Sequence, residues 1–72
     1  MMVVVMEMYQ RIRDLREDND LSQKEVAGRL NVSQSTYSRY ENGQLDIPSG
    51  ILIALSKMYN VSVDYLLGLK NE

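Results

Sequence analysis

The sequence contains no cysteine and no histidine among its 72 residues. The lack of cysteine excludes a disulfide framework and a thiolate metal site. The lack of histidine removes the usual general base and the commonest nitrogen ligand for zinc or copper. Activation of a nucleophile would then depend on Ser with Lys or a carboxylate, and no such set is evident in the sequence. We therefore expect no metal, no cofactor and no enzymatic activity.

The sequence also lacks an apolar run that could cross a bilayer, which takes about 20 residues. The opening MMVVVM occupies only residues 1–6. It has neither the basic start nor the small-residue cleavage site of a signal peptide. We therefore expect a cytoplasmic protein with no membrane partner. The length fits one domain and leaves too little chain for a small-molecule sensor, so no small-molecule ligand is expected.

Basic residues are few, with eight against ten acidic ones and a net charge of −2. A basic domain is the usual footprint of nucleic-acid binding, so this balance counts mildly against it. The charges are unevenly distributed, however. Within residues 22–40 the charged side chains are Lys24, Arg29, Arg39 and Glu25. The distribution of charge therefore matters more than its sum.

Apolar residues recur with a helical period along most of the chain. Met8, Ile12 and Leu15 are spaced by four and three, which is typical of one face of a helix. The predicted helices cover residues 7–19, 23–30, 34–42, about 50–59 and 63–67. On the fourth helix the expected inner face is Ile51, Leu52, Leu55, Met58 and Tyr59, with Ile53 and Ala54 outside it. No convincing strand is present, so the sequence predicts an all-α domain.

Local signals predict where these helices begin and end. Ser22 followed by Glu25 is a capping box, and Ser33 can cap the next helix. The pair Asn19-Asp20 is a plausible stop for the first helix, because Asn tolerates the left-handed conformation. Pro48 and Ser49 are an entry signal for the fourth helix. The last helix follows Ser62 and ends at Gly68.

Residues 1–6 have three interpretations. They could extend the first helix or form a β-strand that pairs across a dimer. They could also lie upstream of the true start, since Met6 and Met8 are both possible starts. Three consecutive Val residues favour the strand. We divide the chain into an apolar extension at residues 1–6, a domain at residues 7–69 and a short tail at residues 70–72.

The second and third predicted helices have the spacing of two helices joined by a tight turn. The inward positions of this pattern are Val26, Ala27, Leu30, Val32, Tyr37 and Tyr40. Ala27 is small enough for close approach, and Asn31 can supply the positive φ that the turn needs.

These residues carry a resemblance to a known family. LSQKEVAGRLNVSQSTYSRYENG, residues 21–43, resembles the helix-turn-helix of the phage repressor and Cro family, also called the XRE family. RIRDLRED resembles that family's first helix and VSVDYLLG its last, so the resemblance covers about residues 11–68. It implies a compact five-helix repressor-like DNA-binding domain with the helix-turn-helix in helices 2 and 3.

The chain departs from the family pattern at two places. The family usually has Gly in the turn, where this chain has Asn31, and the substitution is physically tolerable. The loop after Gly43 is often basic in the family, but here it reads QLDIPS with Asp46 and no Lys or Arg. Because each lost phosphate contact reduces the salt-dependent part of the affinity, this loop predicts weaker phosphate binding.

The resemblance implies that the third helix lies in the major groove with its N-terminal residues facing base edges. Gln can pair with adenine and Arg with guanine through two hydrogen bonds. The expected base contacts are Gln34, Ser35, Ser38, Arg39 and Thr36, although Thr36 could instead only pack beside the second helix. The expected DNA-backbone contacts are Gln23, Ser33, Lys24, Asn42 and Arg11. The resemblance also implies a structural ion pair between Arg16 and Glu41.

Two functions of different kinds follow. The first is a sequence-specific transcriptional regulator that binds a palindromic operator in double-stranded DNA as a homodimer. We expect this regulator to be a repressor. Its dimer surface is expected near residues 65–69, with contributions from Ile53 and the N-terminal segment. The alternative is a protein-interaction module, antitoxin-like or anti-repressor, with weak DNA binding. The acidic pI of 5.0 and the loop without basic residues favour the alternative.

Overall fold

The computed structural model describes the backbone of residues 2–70 and the side chains of residues 9–70. The described chain forms five helices and no strand, which confirms the predicted all-α class. The helices are α1 (Met2–Asp18), α2 (Gln23–Leu30), α3 (Gln34–Glu41), α4 (Ser49–Tyr59) and α5 (Val63–Leu66). No helix among the described residues is long and apolar enough to cross a membrane.

One face of each helix contributes to a single core. Its buried side chains are Ile12, Val26, Ala27, Leu30, Tyr37, Tyr40, Ile47, Leu55 and Leu66. The predicted inward positions of α2 and α3 are therefore confirmed, with Val32 half-buried at the turn. On α4, Leu55 is fully buried and Ile53 is 49% exposed, as expected. The prediction for Ala54 was wrong, because this residue packs against the core.

Side-chain caps begin three of the helices, as predicted. The Ser22 hydroxyl accepts from the N–H of Glu25, and the Glu25 carboxylate accepts from the N–H of Ser22, at 3.0 and 2.9 Å. The Ser22 backbone N–H, and after it the Ser22 hydroxyl, act on the Glu25 carboxylate and hold its pKa below the usual value. The hydroxyls of Ser33 and Ser62 cap α3 and α5 by accepting from the N–H groups of Thr36 and Tyr65. Helix α4 instead follows Pro48, which makes no side-chain cap.

Left-handed residues end most of the helices. Asn31 has φ 64° and ψ 37°, so this Asn adopts the conformation that the turn requires. The predicted stop at Asn19-Asp20 is confirmed, since α1 ends at Asp18, but Asp20 rather than Asn19 takes the positive φ, 55°. The Asn19 side chain donates to the Leu15 carbonyl at 2.7 Å instead. Helix α3 ends one residue earlier than predicted, with Asn42 as its C-cap.

The apolar extension continues α1 to Met2. Of the three interpretations of residues 1–6, the helix extension describes residues 2–6, and the strand is wrong for them. The start-codon alternative stays a hypothesis. The proposed division at residue 7 falls inside α1. The side chain of Met8, the structure of Met1 and the last two residues of the predicted tail lie outside the described residues.

Candidate nucleic-acid interface

The turn between α2 and α3 is closed by backbone hydrogen bonds. The N–H of Val32 donates to the carbonyl of Ala27 at 3.0 Å, and the N–H of Asn31 donates to Gly28 at 3.2 Å. This pairing is typical of a helix that ends in a left-handed residue. Ala27 is only 2% exposed, so the second and third helices meet where a small side chain allows close approach.

Helix α3 has a buried face and an outward face. Tyr37 and Tyr40 are 0% and 4% exposed, with their rings edge to face at 6.4 Å between centroids. Ser35 and Arg39 lie on the opposite side and are exposed. Asn42 follows Ser35 by seven residues, so it continues the same stripe along the helix. The outward face is therefore polar from its first turn to its C-cap.

The other predicted base contacts border this stripe. Gln34 is exposed at the first position of α3, while Thr36 and Ser38 are half-buried on either flank. The Ser33 hydroxyl accepts from the N–H of Thr36 at 3.0 Å and donates to its side-chain oxygen at 2.9 Å. The hydroxyl of Ser33 is thus engaged in capping α3.

A buried carboxylate connects the three helices of the site. Glu41 is 3% exposed. It accepts from Arg16 Nε at 2.6 Å, from Arg16 Nη2 at 3.2 Å and from Gln23 Nε2 at 3.1 Å. The Tyr37 hydroxyl donates to it as well. Arg16 and Glu41 therefore form the ion pair that the resemblance implied, and α1, α2 and α3 each supply a donor to it.

Burial and hydrogen bonding act in opposite directions on this carboxylate. Burial raises the pKa of Glu41, but the bonds from Arg16, Tyr37 and Gln23 outweigh it and leave the pKa below its usual value. The same contact raises the pKa of Arg16 above its usual value. Burial and the neighbouring Glu41 carboxylate raise the pKa of Tyr37. The pair is therefore charged at neutral pH, and Tyr37 is a neutral donor.

The predicted backbone contacts are spread over two sides of the molecule. Gln23 and Lys24 lie in the first turn of α2. Gln23 is half-buried through its bond to Glu41, whereas Lys24 is exposed. Asn42 is exposed at the end of α3. Gln23 therefore reaches the C-terminal end of α3 through Glu41, and Asn42 continues the outward face of that helix.

Arg11 lies elsewhere, against α5. Its Nη1 donates to the carbonyls of Tyr65 and Lys70 at 2.8 and 2.6 Å, and its guanidinium lies 4.3 Å from the Tyr65 ring centroid. This geometry gives Arg11 a structural contact between α1 and the C-terminal segment. The structure does not bring it together with the other predicted backbone contacts.

Arg13 is a basic residue of the site that the sequence analysis missed. Its Nη2 lies 3.5 Å from Asn42 Oδ1, and its Nε lies 3.7 Å from Glu41 Oε1. Its side chain is 41% exposed. The signal available in the sequence was the spacing of Arg13 and Arg16, since residues three apart share a helix face.

The loop after α3 adds no positive charge. Residues 44–49 contain Asp46 and no Lys or Arg. Leu45 in this loop is 40% exposed. Among the described residues no group of His, Cys, Asp or Glu could hold a metal ion, and no cofactor site is apparent in the geometry of this face.

Comparisons with known proteins agree with this architecture. A family model described as Helix-turn-helix matches residues 12–66. The chain is 40% identical over 63 residues to the HTH-type transcriptional regulator ImmR of Bacillus subtilis, covering 88% of this chain and 50% of that protein. It is 40% identical over 53 residues to the cryptic phage CTXphi transcriptional repressor RstR of Vibrio cholerae, covering 74% and 48%.

A further relative is the antitoxin PezA of Streptococcus pneumoniae, 33% identical over 57 residues, covering 79% of this chain and 36% of that protein. The chain spans about half the length of the first curated relatives it matches. No solved structure matches it significantly. The family consists of DNA-binding regulators rather than enzymes, in agreement with the expectation from the sequence. The matched residues include all of α2, the turn and α3, and the chain belongs to the XRE-type helix-turn-helix family.

Proposed function

We propose that the chain is a sequence-specific DNA-binding regulator that inserts α3 into the major groove. The observation that carries this proposal is the outward face of α3, where Gln34, Ser35 and Arg39 are exposed beside a fully buried core face. A helix with its side chains is about 10–12 Å across. The major groove is about 12 Å wide, so it admits α3.

Each outward side chain suits a different base edge. Gln34 at the start of α3 can bond adenine through both amide atoms, and Arg39 can bond guanine through two N–H groups. Ser35 and Ser38 are short, so they let the helix approach the bases closely and can donate or accept one bond. The methyl group of Thr36 suits a thymine methyl. We assign these five residues to base reading.

Phosphate contacts come from the ends of the two helices. The N-terminus of α2 presents the backbone N–H groups that the Ser22 cap does not take, together with Lys24 and the side chain of Gln23, which also bonds Glu41. A helix N-terminus of this kind favours an anion. The backbone at Ser33 and the side chain of Asn42 flank α3 on either end. Arg11 is left out of this set because its guanidinium is engaged with α5.

The regulator acts as a homodimer on a palindromic operator in this proposal. Two recognition helices about 34 Å apart would enter successive major grooves on one face of the duplex. Exposed apolar side chains near the end of the chain support a dimer surface, since Leu69 is 61% exposed and Ile53 is 49% exposed. The similarity to ImmR, a transcriptional regulator, and to RstR, a transcriptional repressor, supports repression as the outcome.

Selection of bound duplexes from a random pool tests this proposal directly. The expected result is an inverted repeat whose half-sites lie about one helical turn apart. Arg39→Ala should weaken binding to the selected duplex by 5- to 150-fold, about 1–3 kcal/mol, and relax the preference at one base pair per half-site. Lys57→Ala is the control, because it removes the same charge from α4. The proposal is refuted if no duplex is enriched at low salt.

A protein-interaction module is the second candidate. The similarity to the antitoxin PezA favours it, and so do the net charge of −2 and the loop with Asp46. The salt dependence of DNA binding separates the two candidates. The affinity of a DNA-binding regulator for DNA falls steeply with added salt, because binding releases counterions from the DNA. An interaction module binds duplex DNA only weakly even at 50 mM salt, where phosphate contacts are strong.

A further inference from the structure

A cleft opens between α1 and the C-terminal end of α3. It is lined by Tyr9, Gln10, Arg13, Glu41 and Asn42. Tyr9 closes one side of it by packing against the backbone of Gly43. A Cβ atom at Gly43 would lie 2.8 Å from Tyr9 Cε2, so the glycine permits this close approach. The cleft is therefore formed by α1 side chains on one wall and by the end of the recognition helix on the other.

The positive charge of Arg13 is poorly neutralised within this cleft. Glu41 is already paired with Arg16 at 2.6 Å, and Arg13 Nε lies farther away at 3.7 Å. The side chains of Arg16 and Glu41 are 14% and 1% exposed, whereas that of Arg13 is 41% exposed. Glu17 also faces Arg16 at 4.0 Å, but it is 60% exposed and screened by solvent. Arg13 is thus the exposed and weakly paired cation of the cleft.

Arg13 lies at the end of the outward stripe of α3. Asn42 follows Arg39 by three residues and Ser35 by seven, so it belongs to the same helix face. Arg13 Nη2 approaches Asn42 Oδ1 at 3.5 Å, which leaves the Asn42 amide N–H groups as donors. Gln10, the other polar residue of the α1 wall, donates to Asp14 at 2.8 Å. Arg13 and Asn42 are therefore the two donors of the cleft that continue the face assigned to DNA.

We infer that Arg13 and Asn42 form a binding site for one backbone phosphate of DNA in each protomer, at the rim of the groove that α3 enters. A guanidinium presents paired N–H donors that match phosphate oxygens, and the Asn42 amide adds a third donor. The site supplies from α1 the cation that residues 44–49 lack. This inference rests on the proposed DNA-binding function and adds to it a residue that contacts the phosphate.

Ethylation interference on the selected duplex tests the site. Wild type should lose binding when one particular phosphate in each half-site is ethylated. Arg13→Ala should bind with lower affinity and become insensitive to ethylation at that phosphate, while the other interfering phosphates stay the same. Its slope of log affinity against log salt should be shallower by about 0.9, the value for one phosphate contact. Arg13→Lys should keep the slope, and Lys57→Ala should leave both measurements at the wild-type values.

These measurements separate the inference from the function on which it rests. If Arg13→Ala keeps the wild-type interference pattern and salt slope, the phosphate site is refuted and the DNA-binding function stands. If wild type binds no duplex, both are refuted. A purely structural role for Arg13 would lower thermal stability and weaken all contacts together, without the loss of one phosphate from the pattern, and this result also refutes the site.

Discussion

Replacing Glu41 by Gln removes the charge at the junction of α1, α2 and α3 while keeping nearly the same shape. Removing one partner of a buried ion pair costs about 3–5 kcal/mol. Arg16 keeps 14% of its side chain exposed, so solvent compensates part of the loss and about 3 kcal/mol is expected. A 72-residue domain has a free energy of unfolding of only about 4–11 kcal/mol. The substitution should therefore consume a large part of the stability.

Thermal unfolding followed by far-UV circular dichroism measures this loss. For a domain of this size, each kcal/mol lowers the Tm by about 4–8 °C, so Glu41→Gln should lower it by roughly 12–24 °C. Glu17→Gln is the matched control, because Glu17 also faces Arg16 but is 60% exposed. That variant should lose less than about 0.5 kcal/mol, as expected for a surface pair.

The pH dependence gives a second test of the same reasoning. The pKa of Glu41 in the folded state lies below the ordinary value of 4.5, so its stabilisation is complete above that value. It is lost as the pH falls through the lowered pKa, because the carboxyl group takes up its proton. The stability of wild type should then approach that of Glu41→Gln in acid. Equal losses for Glu41→Gln and Glu17→Gln at pH 7, or a gap that stays constant into acid, would refute the reasoning.

Other substitutions test the turn, the glycine, the core and the α1–α5 contact in the same assay. Asn31→Ala should cost about 1 kcal/mol because φ is positive, whereas Asn31→Gly should be nearly neutral. Gly43→Ala should cost about 1–3 kcal/mol, since its φ is +73° and its Cβ would strike Tyr9, and Tyr9→Ala should therefore relieve only part of the loss. Tyr59→Phe should keep or raise the Tm, because the buried Tyr59 hydroxyl has no partner among the described residues. Arg11→Ala should cost about 1–2 kcal/mol and Arg11→Lys less; an unchanged Tm for Arg11→Ala would contradict its contacts with α5.

Local signals predicted most of the fold. Capping serines need only a neighbouring N–H three residues on, so Ser22, Ser33 and Ser62 marked helix starts correctly. The left-handed turn at Asn31 follows from its own conformational tolerance. The stop at Asn19-Asp20 was predicted, but its left-handed residue was taken to be Asn19 because Asn and Asp both tolerate positive φ and propensity favours Asn. The inward packing of Ala54 was missed because it depends on where neighbouring helices lie.

The candidate site was less accessible to sequence reasoning. The outward and buried faces of α3 follow from the helical period, and Tyr37 and Tyr40 were assigned correctly to the core. The contact of Arg11 with α5 joins residues more than fifty positions apart in the chain, and no local pattern encodes it. The position of Arg13 beside Asn42 likewise depends on how α1 packs against α3. Roles that require long-range packing could not be read from local patterns, and the Arg16–Glu41 pair was expected only from the family resemblance.

The division of α3 into two faces also separates two kinds of selection. Tyr37, Tyr40 and Glu41 contribute to folding, and mutations of these residues lower the fraction of folded protein. Substitutions of exposed residues such as Ser35 and Arg39 usually change stability by less than about 0.5 kcal/mol, so they are nearly invisible to selection for folding. Descendants of this chain can therefore acquire new base contacts through substitutions of a few exposed residues of α3 while they keep the same fold.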